Sequence, residues 1–476
     1  MVAASSGKLP TEQSGGASER TYGVTRRLIR LAAPIVGLNL LNVLALVIDT
    51  AMCGRLPEAG VVLAALSFAI QVIFLLMVAM MGLSVGTVAL VARGHGAGDT
   101  RRVQHVIGQA TGVTVFLGVL VAIVGNVVAP YLVRALGASE AATSVAMGYL
   151  RPMLSATVLS YLMLLFAAIL RGVQNTRLPF LVAIGTNIVN VALNYCLILG
   201  NFGFPALGLV GAAIGTICAQ ALGAAVLMVA VRKGVIRGVA LRVPDRIDNE
   251  LLGRMVRIGG PAAFDMLILN AAFVSIVGML GRIDDLAVAA HGVGLRIQTL
   301  AIVPGMGISQ ATAAMVGNAL GAGDLRRARS VLSSSVLLCT LLMTVLGVAI
   351  VVLVEPLVAL FDIQPGTSLW SLTATWIRIL GYAMPVIGIY IAFVGLLQGA
   401  GATSVSLRIN VISTVVVQIP LSYVLGFSLN MGAFGIWLAF PLSFVIKAGL
   451  GGMAYRKGDW AQVGDFGSPP GTKESG

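Results

Sequence analysis

The sequence predicts an all-α membrane protein: twelve transmembrane helices in two six-helix bundles of parallel topology, related by a pseudo-two-fold axis along the membrane normal. Three observations carry that prediction. Of 476 residues, 58% are apolar and only 10% are charged, with a mean hydropathy of +0.97. A soluble domain carries roughly 25% charge, so this chain lacks the polar surface to be one. Apolar runs of about 20 residues, the length that crosses about 30 Å of hydrocarbon, recur along the chain. The sequence also repeats itself across its midpoint.

Taken in order, residues 1–25 are polar and rich in Ser, Gly and Thr, and read as a disordered cytoplasmic tail with no signal-peptide cleavage site. Spans are expected at 28–50, 62–88, 106–130, 145–170, 179–200, 208–231, 258–280, 287–315, 331–354, 373–397, 410–427 and 432–455. These runs are too long and too continuously apolar for the alternating strands of a membrane barrel. Segment 26–231 forms the N-lobe, 232–257 a cytoplasmic linker, 258–455 the C-lobe and 456–476 a second cytoplasmic tail. The linker's PDRIDNE stretch reads as an amphipathic connector on the inner surface.

The net charge of +13 comes from 31 Lys and Arg against 18 Asp and Glu. Most of the basic residues fall on one set of alternate loops: Arg20, Arg26, Arg27 and Arg30 before the first span, Arg93, Arg101 and Arg102 after the second, and seven in the linker. The positive-inside rule then puts both termini in the cytoplasm, with the chain in the cell's inner (plasma) membrane. No aromatic–basic stretch suits nucleic acid. The expected partners are the bilayer and a small-molecule substrate, and the expected assembly is a monomer. Cys53, Cys196, Cys218 and Cys339 are far apart and show no metal-ligand spacing. His95, His105 and His291 sit at loop edges and read as solvated or capping residues.

The repeat is clearest where 82–102, GLSVGTVALVARGHGAGDTRR, aligns with 307–327, GISQATAAMVGNALGAGDLRR, at eleven identities in 21. Segment 27–55 aligns with 254–282 at nine in 29, and LRGVQNT (170–176) with LQGAGAT (397–403). Six spans per half make the repeats parallel, with a substrate site expected between the halves near the midplane.

Several motifs resemble those of MATE (multidrug and toxic compound extrusion) transporters. LIRLAAPIVGLNLLNVLALVIDTAMCGRL is similar to the family's first helix, and GHGAGD and ALGAGD to its Gly-rich loops after the second and eighth helices. AAHGVGLRIQTLAIVPGMG resembles the eighth helix, NIVNVALNYCLILG the N-x-x-x-N fifth helix, and GLVGAAIGTICAQ the sixth. The resemblance covers about residues 26–455. It implies antiport of drugs, organic cations or metabolites against H⁺ or Na⁺, with no bound cofactor.

Of the acids, only Asp49 and Asp265 fall inside the expected spans. An intramembrane carboxylate costs at least about 2.5–3.5 kcal/mol on insertion scales and marks a functional site by default. Asn39, Asn42 and Asp49 share one helix face, as do Asn187, Asn190 and Asn194, and Thr216 with Gln220. Three polar stripes in an apolar half are best satisfied by converging. A carboxylate with amide and hydroxyl oxygens suits a proton or a hard cation such as Na⁺. By resemblance, Asp49, Asn190 and Asn194, with Thr216 and Asn42 beside them, form the cation site. On depth alone, Asp49 also fits an interfacial position near its helix end.

Asp265 has three readings: a second coupling acid, an ion pair with Arg296, or an inner-edge acid. Lys447 is expected to snorkel to the interface. Tyr161, Met163, Phe166, Gln71, Met384, Tyr390 and Arg296 are the candidate substrate lining, since aromatic and thioether side chains suit a flat apolar cation. Three rival readings remain: a lipid-linked sugar flippase, which needs a cationic cavity; an integral membrane enzyme, which needs a catalytic cluster that the sequence does not show; and a channel, which needs a filter motif.

Overall fold

The computed structural model describes residues 15–236, 238 and 247–461. Expectations for residues 1–14, 239–246 and 462–476, including the start of the PDRIDNE connector, lie outside the described residues. Among the described residues there is no strand, and eleven helices plus one bent pair are long and apolar enough to cross a membrane.

The N-lobe comprises α1 (Gly15–Cys53), α2 (Ala59–Gly96), α3 (Thr100–Ala135), α4 (Glu140–Ser155 joined to Thr157–Gly172), α5 (Arg177–Leu199) and α6 (Leu209–Arg232). The C-lobe comprises α7 (Asn249–Gly281), α8 (Asp285–Gly321), α9 (Leu325–Val352), α10 (Ser368–Gly399), α11 (Thr403–Ser428) and α12 (Gly432–Lys457). The helices overrun the expected spans at most ends. The tail expected to be disordered over 1–25 is instead helical from Gly15. The two parts of α4 meet at 56°, just after Pro152, where the ring removes a helical hydrogen bond. In α11 the stretches Val411–Gln418 and Val424–Ser428 are π-helical.

The GAGD motifs have a local cause. Gly98 and Gly323 both take φ +71°, the left-handed conformation that ends a helix. The next residue starts the following helix: Asp99 accepts from Arg102 N at 2.9 Å and Asp324 from Arg327 N at 2.8 Å. Each motif is therefore one tight helix–turn–helix joint. Asp248 caps α7 in the same way, accepting from Leu251 N at 3.0 Å, and pairs with His105 at 2.8 Å across the start of α3. The Leu251 amide, then His105, hold its carboxyl below the usual carboxylate range. The stability from that cap is present at neutral pH and is lost as pH falls through the lowered value.

The two halves interlock. Leu28, Ala32 and Ile35 of α1 belong to the C-lobe core, while Leu251, Met255 and Ile258 of α7 belong to the N-lobe core. Helix α1 packs along α8, and α7 along α2, which are equivalent pairs under the repeat. Between hydrocarbon-embedded helices, association rests on close backbone packing, and small residues permit it. At the seam an added Cβ on Gly96 would sit 2.0 Å from Asn318 O, and one on Gly321 would sit 2.0 Å from Arg93 O. Residues 96 and 321 are repeat equivalents, and so are 93 and 318. The contact is therefore isologous, which is the two-fold axis read from coordinates. Arg93 Nη2 donates to Ala400 O at 2.8 Å, and Asn318 Nδ2 donates to Gly172 O at 2.9 Å. The seam thus lies at the C-terminal ends of α2 and α8.

Candidate functional site

Helices α1, α5 and α6 bring the three polar stripes together. Asn194 Nδ2 donates to Asp49 Oδ1 at 2.7 Å and lies 3.4 Å from Asn190 Oδ1. Asn190 Nδ2 donates to Thr216 Oγ1 at 3.2 Å, and Thr216 donates to Ala212 O at 2.8 Å. Asn194 is fully buried and its Oδ1 has no partner. A buried amide oxygen without a partner among the described residues is costly in protein interiors; this one packs against Gly215. Gly215 makes room for it: a Cβ there would lie 2.1 Å from Asn194 Oδ1.

This chain of polar groups borders a cavity of about 420 Å³ in the N-lobe. Asn42, Asp49, Asn187, Asn190, Thr216 and Gln220 supply its polar wall, and Tyr161 and Met163 part of the apolar one. Tyr161 is fixed by its hydroxyl, which donates to Leu76 O at 2.6 Å, and Ser160 donates to Gln220. Two contributors went unread in the sequence. Arg171 also lines the cavity; it lies one residue past the expected fourth span. Gly215 was visible only as part of a small-residue pattern.

Other expected positions fall elsewhere. Phe166 and Met384 are buried in the cores of their lobes, because long apolar side chains in a span pack inward. Gln71 reaches Asn270 of α7 at 3.5 Å, across the lobe seam. Arg296 is exposed, with its guanidinium 5.9 Å from the Phe361 ring, and does not pair with Asp265. Asp265 instead accepts from Asn410 Nδ2 at 2.6 Å and feels the charge of Lys447. Lys447 does not snorkel: it is 2% exposed, 4.5 Å from the Phe444 ring and 5.6 Å from that of Tyr390. His291 is not solvated either, but buried between Phe273 and Trp376.

The MatE family profile matches twice, over residues 34–196 and 261–424. The matches begin at Pro34 and Pro261, which are repeat equivalents, so each half carries one copy. The chain belongs to the MatE family. Its relatives include a probable multidrug resistance protein NorM of Thermotoga maritima, 26% identical over 93% of this chain and 94% of that protein. An FAD transporter of Shewanella oneidensis is 27% identical over 88% and 92%. A crystal structure of the Vibrio cholerae MATE transporter VcmN in the bent form superposes with a TM-score of 0.85 at 22% identity, over 93% of this chain and 98% of that one.

As a MatE protein the chain is a multi-pass membrane efflux transporter, and its relatives are transporters rather than enzymes. The two-lobe, twelve-helix fold expected from the sequence stands. Within that frame Gly215 is a sharp probe. For any cation held at Asp49, Gly215→Ala is expected to push Asn194 off the carboxylate and lower the apparent affinity by about tenfold, the weight of one hydrogen bond to a charged group. The measurement is transport rate against ion concentration, and an unchanged half-saturation would remove Gly215 from the site.

Proposed function

We propose that this protein is a secondary antiporter of the inner membrane that exports organic cations, drugs or metabolites in exchange for H⁺ or Na⁺, by alternating access between its lobes. The supporting observation is the Asp49–Asn194–Asn190–Thr216 chain, of which Asp49, Asn190 and Thr216 line the 420 Å³ cavity. The carboxylate takes up the ion. Asn194 orients it, and Asn190 and Thr216 add oxygens within the same hydrogen-bonded chain. Binding of ion and of substrate to one wall gives the exclusion that antiport needs. On the expected orientation both termini are cytoplasmic, and the sealed seam faces the cytoplasm. The transported ion and the small-molecule substrate are the only non-protein participants, and the working unit is a monomer.

The energetics suffice. About 150 mV acting on one charge supplies about 3.5 kcal/mol, enough for a few-hundred-fold substrate gradient. The test is efflux of a fluorescent organic cation from proteoliposomes under a pH gradient and, separately, a Na⁺ gradient. We expect one gradient alone to drive efflux. Efflux indifferent to both would overturn the antiport reading.

A further inference from the structure

The C-lobe holds a second cavity, of about 270 Å³, that the N-lobe chemistry does not use. Its walls are aromatic: Phe273, Trp376, Trp437, Phe440 and Phe444 all line it. Trp376 and Trp437 stack with centroids 5.6 Å apart, and Phe440 meets Trp376 edge-on at 5.5 Å. The π-helical turn of α11 delivers Thr414 and Gln418 to the same wall; such turns recur at functional sites. The lining residues His291, Thr414, Trp376 and Trp437 each bury a polar side-chain atom that has no partner among the described residues, and the Trp376 Nε1 edge packs beside Gly294.

Lys447 supplies the charge. It lines the cavity at 2% exposure, and among the described residues no carboxylate lies within 4 Å of it. Asp265, which also accepts from Asn410, acts on it from beyond that distance. An ammonium buried without a close counter-ion is strongly unfavourable unless something completes the site. The Phe444 and Tyr390 rings beside it offer π faces, which do not neutralise it.

We propose that the C-lobe cavity binds a planar aromatic molecule bearing a carboxylate or similar anionic group, the anion meeting Lys447 and the ring lying among Trp376, Trp437 and Phe440. The proposal goes beyond the transporter reading by giving the C-lobe cavity a ligand class separate from the exchange at the N-lobe wall. The volume lies just below the roughly 300–1,000 Å³ of drug-sized pockets, which favours two fused rings. An organic cation of the same shape would meet the ammonium and be repelled.

All four tryptophans, at 370, 376, 437 and 460, lie in the C-half, and two of them line the cavity. Quenching of intrinsic fluorescence in the purified full chain therefore reports on this site. The probes are 2-naphthoate, the neutral 2-naphthamide and the cationic 2-naphthylmethylamine. The naphthoate is expected to bind about tenfold or more tighter than either, the preference a charge-assisted contact confers. Lys447→Met should erase that preference, and Lys447→Arg should retain it. Equal affinities for naphthoate and naphthamide in the unaltered protein would overturn the proposal, with no variant needed. So would a preference that survives in Lys447→Met. Gradient-driven efflux of the organic cation is read separately: efflux without naphthoate preference defeats this proposal alone, and preference without efflux defeats the antiport reading alone.

Discussion

Asp49→Asn is expected to abolish gradient-driven efflux while leaving the protein folded. The substitution is isosteric, and the new side chain keeps an oxygen to accept from Asn194, so the Asp49–Asn194–Asn190–Thr216 chain need not rearrange. What goes is the single negative charge of that site. An amide neither takes up a proton near neutral pH nor balances a hard cation, since cation sites of this type lean on carboxylate charge. Without a bound ion nothing links the membrane gradient to the substrate. The accumulation ratio should then fall from a few hundred-fold, the ceiling at about 150 mV, to roughly unity. Flux driven by substrate's own gradient would persist if the lobes still interconvert. Proteoliposome efflux measured with and without an imposed gradient separates the two. Wild-type accumulation in the variant would move coupling to Asp265.

The choice of ion has its own signature here. A proton needs only the carboxylate, whereas Na⁺ also needs oxygens from Asn190, Asn194 and Thr216. Asn190→Ala should therefore weaken a Na⁺-driven transporter far more than a proton-driven one.

The legible part of this molecule is the part written in local periodicity. The polar stripes on α1, α5 and α6 follow from helix geometry, and the need to hide their side chains from lipid dictates that they meet. The GAGD joints follow from one left-handed glycine and one capping aspartate. What could not be read is whatever depends on how two helices face each other. Arg296 and Asp265 are both costly residues, and pairing them is economical on paper, yet they lie on surfaces that never meet. A long stem allows Lys447 to reach the interface. The structure buries it, and nothing within α12's own sequence separates those outcomes. The exchange of inner helix ends between lobes was equally hidden, although the strongest repeat, 82–102 against 307–327, encodes the seam that causes it.

That seam leads to the second large expectation: Gly96→Ala should force the lobes apart at the sealed end, and Gly321→Ala should do the same. The obstruction in each case is a backbone carbonyl 2.0 Å from the new carbon, and a carbonyl within a helix cannot rotate away as a side chain can. Overpacking of this kind costs typically about 1–3 kcal/mol. In a two-state transporter that cost falls only on the state in which the seam is closed, so the equilibrium shifts by roughly 5- to 150-fold towards the other state. Two-fold symmetry predicts near-equal effects from the two single variants. The double variant should add little, because once the lobes separate the second methyl has nothing left to strike. Gly260→Ala, where an added carbon meets nothing within 4 Å, is the control. Spin labels on the loops after α2 and α8 would read the separation, and turnover should fall because the cycle must pass through the closed seam. If both variants keep the wild-type distance distribution and transport rate, the Gly96–Asn318 and Gly321–Arg93 contacts do not form the seal on which alternating access depends.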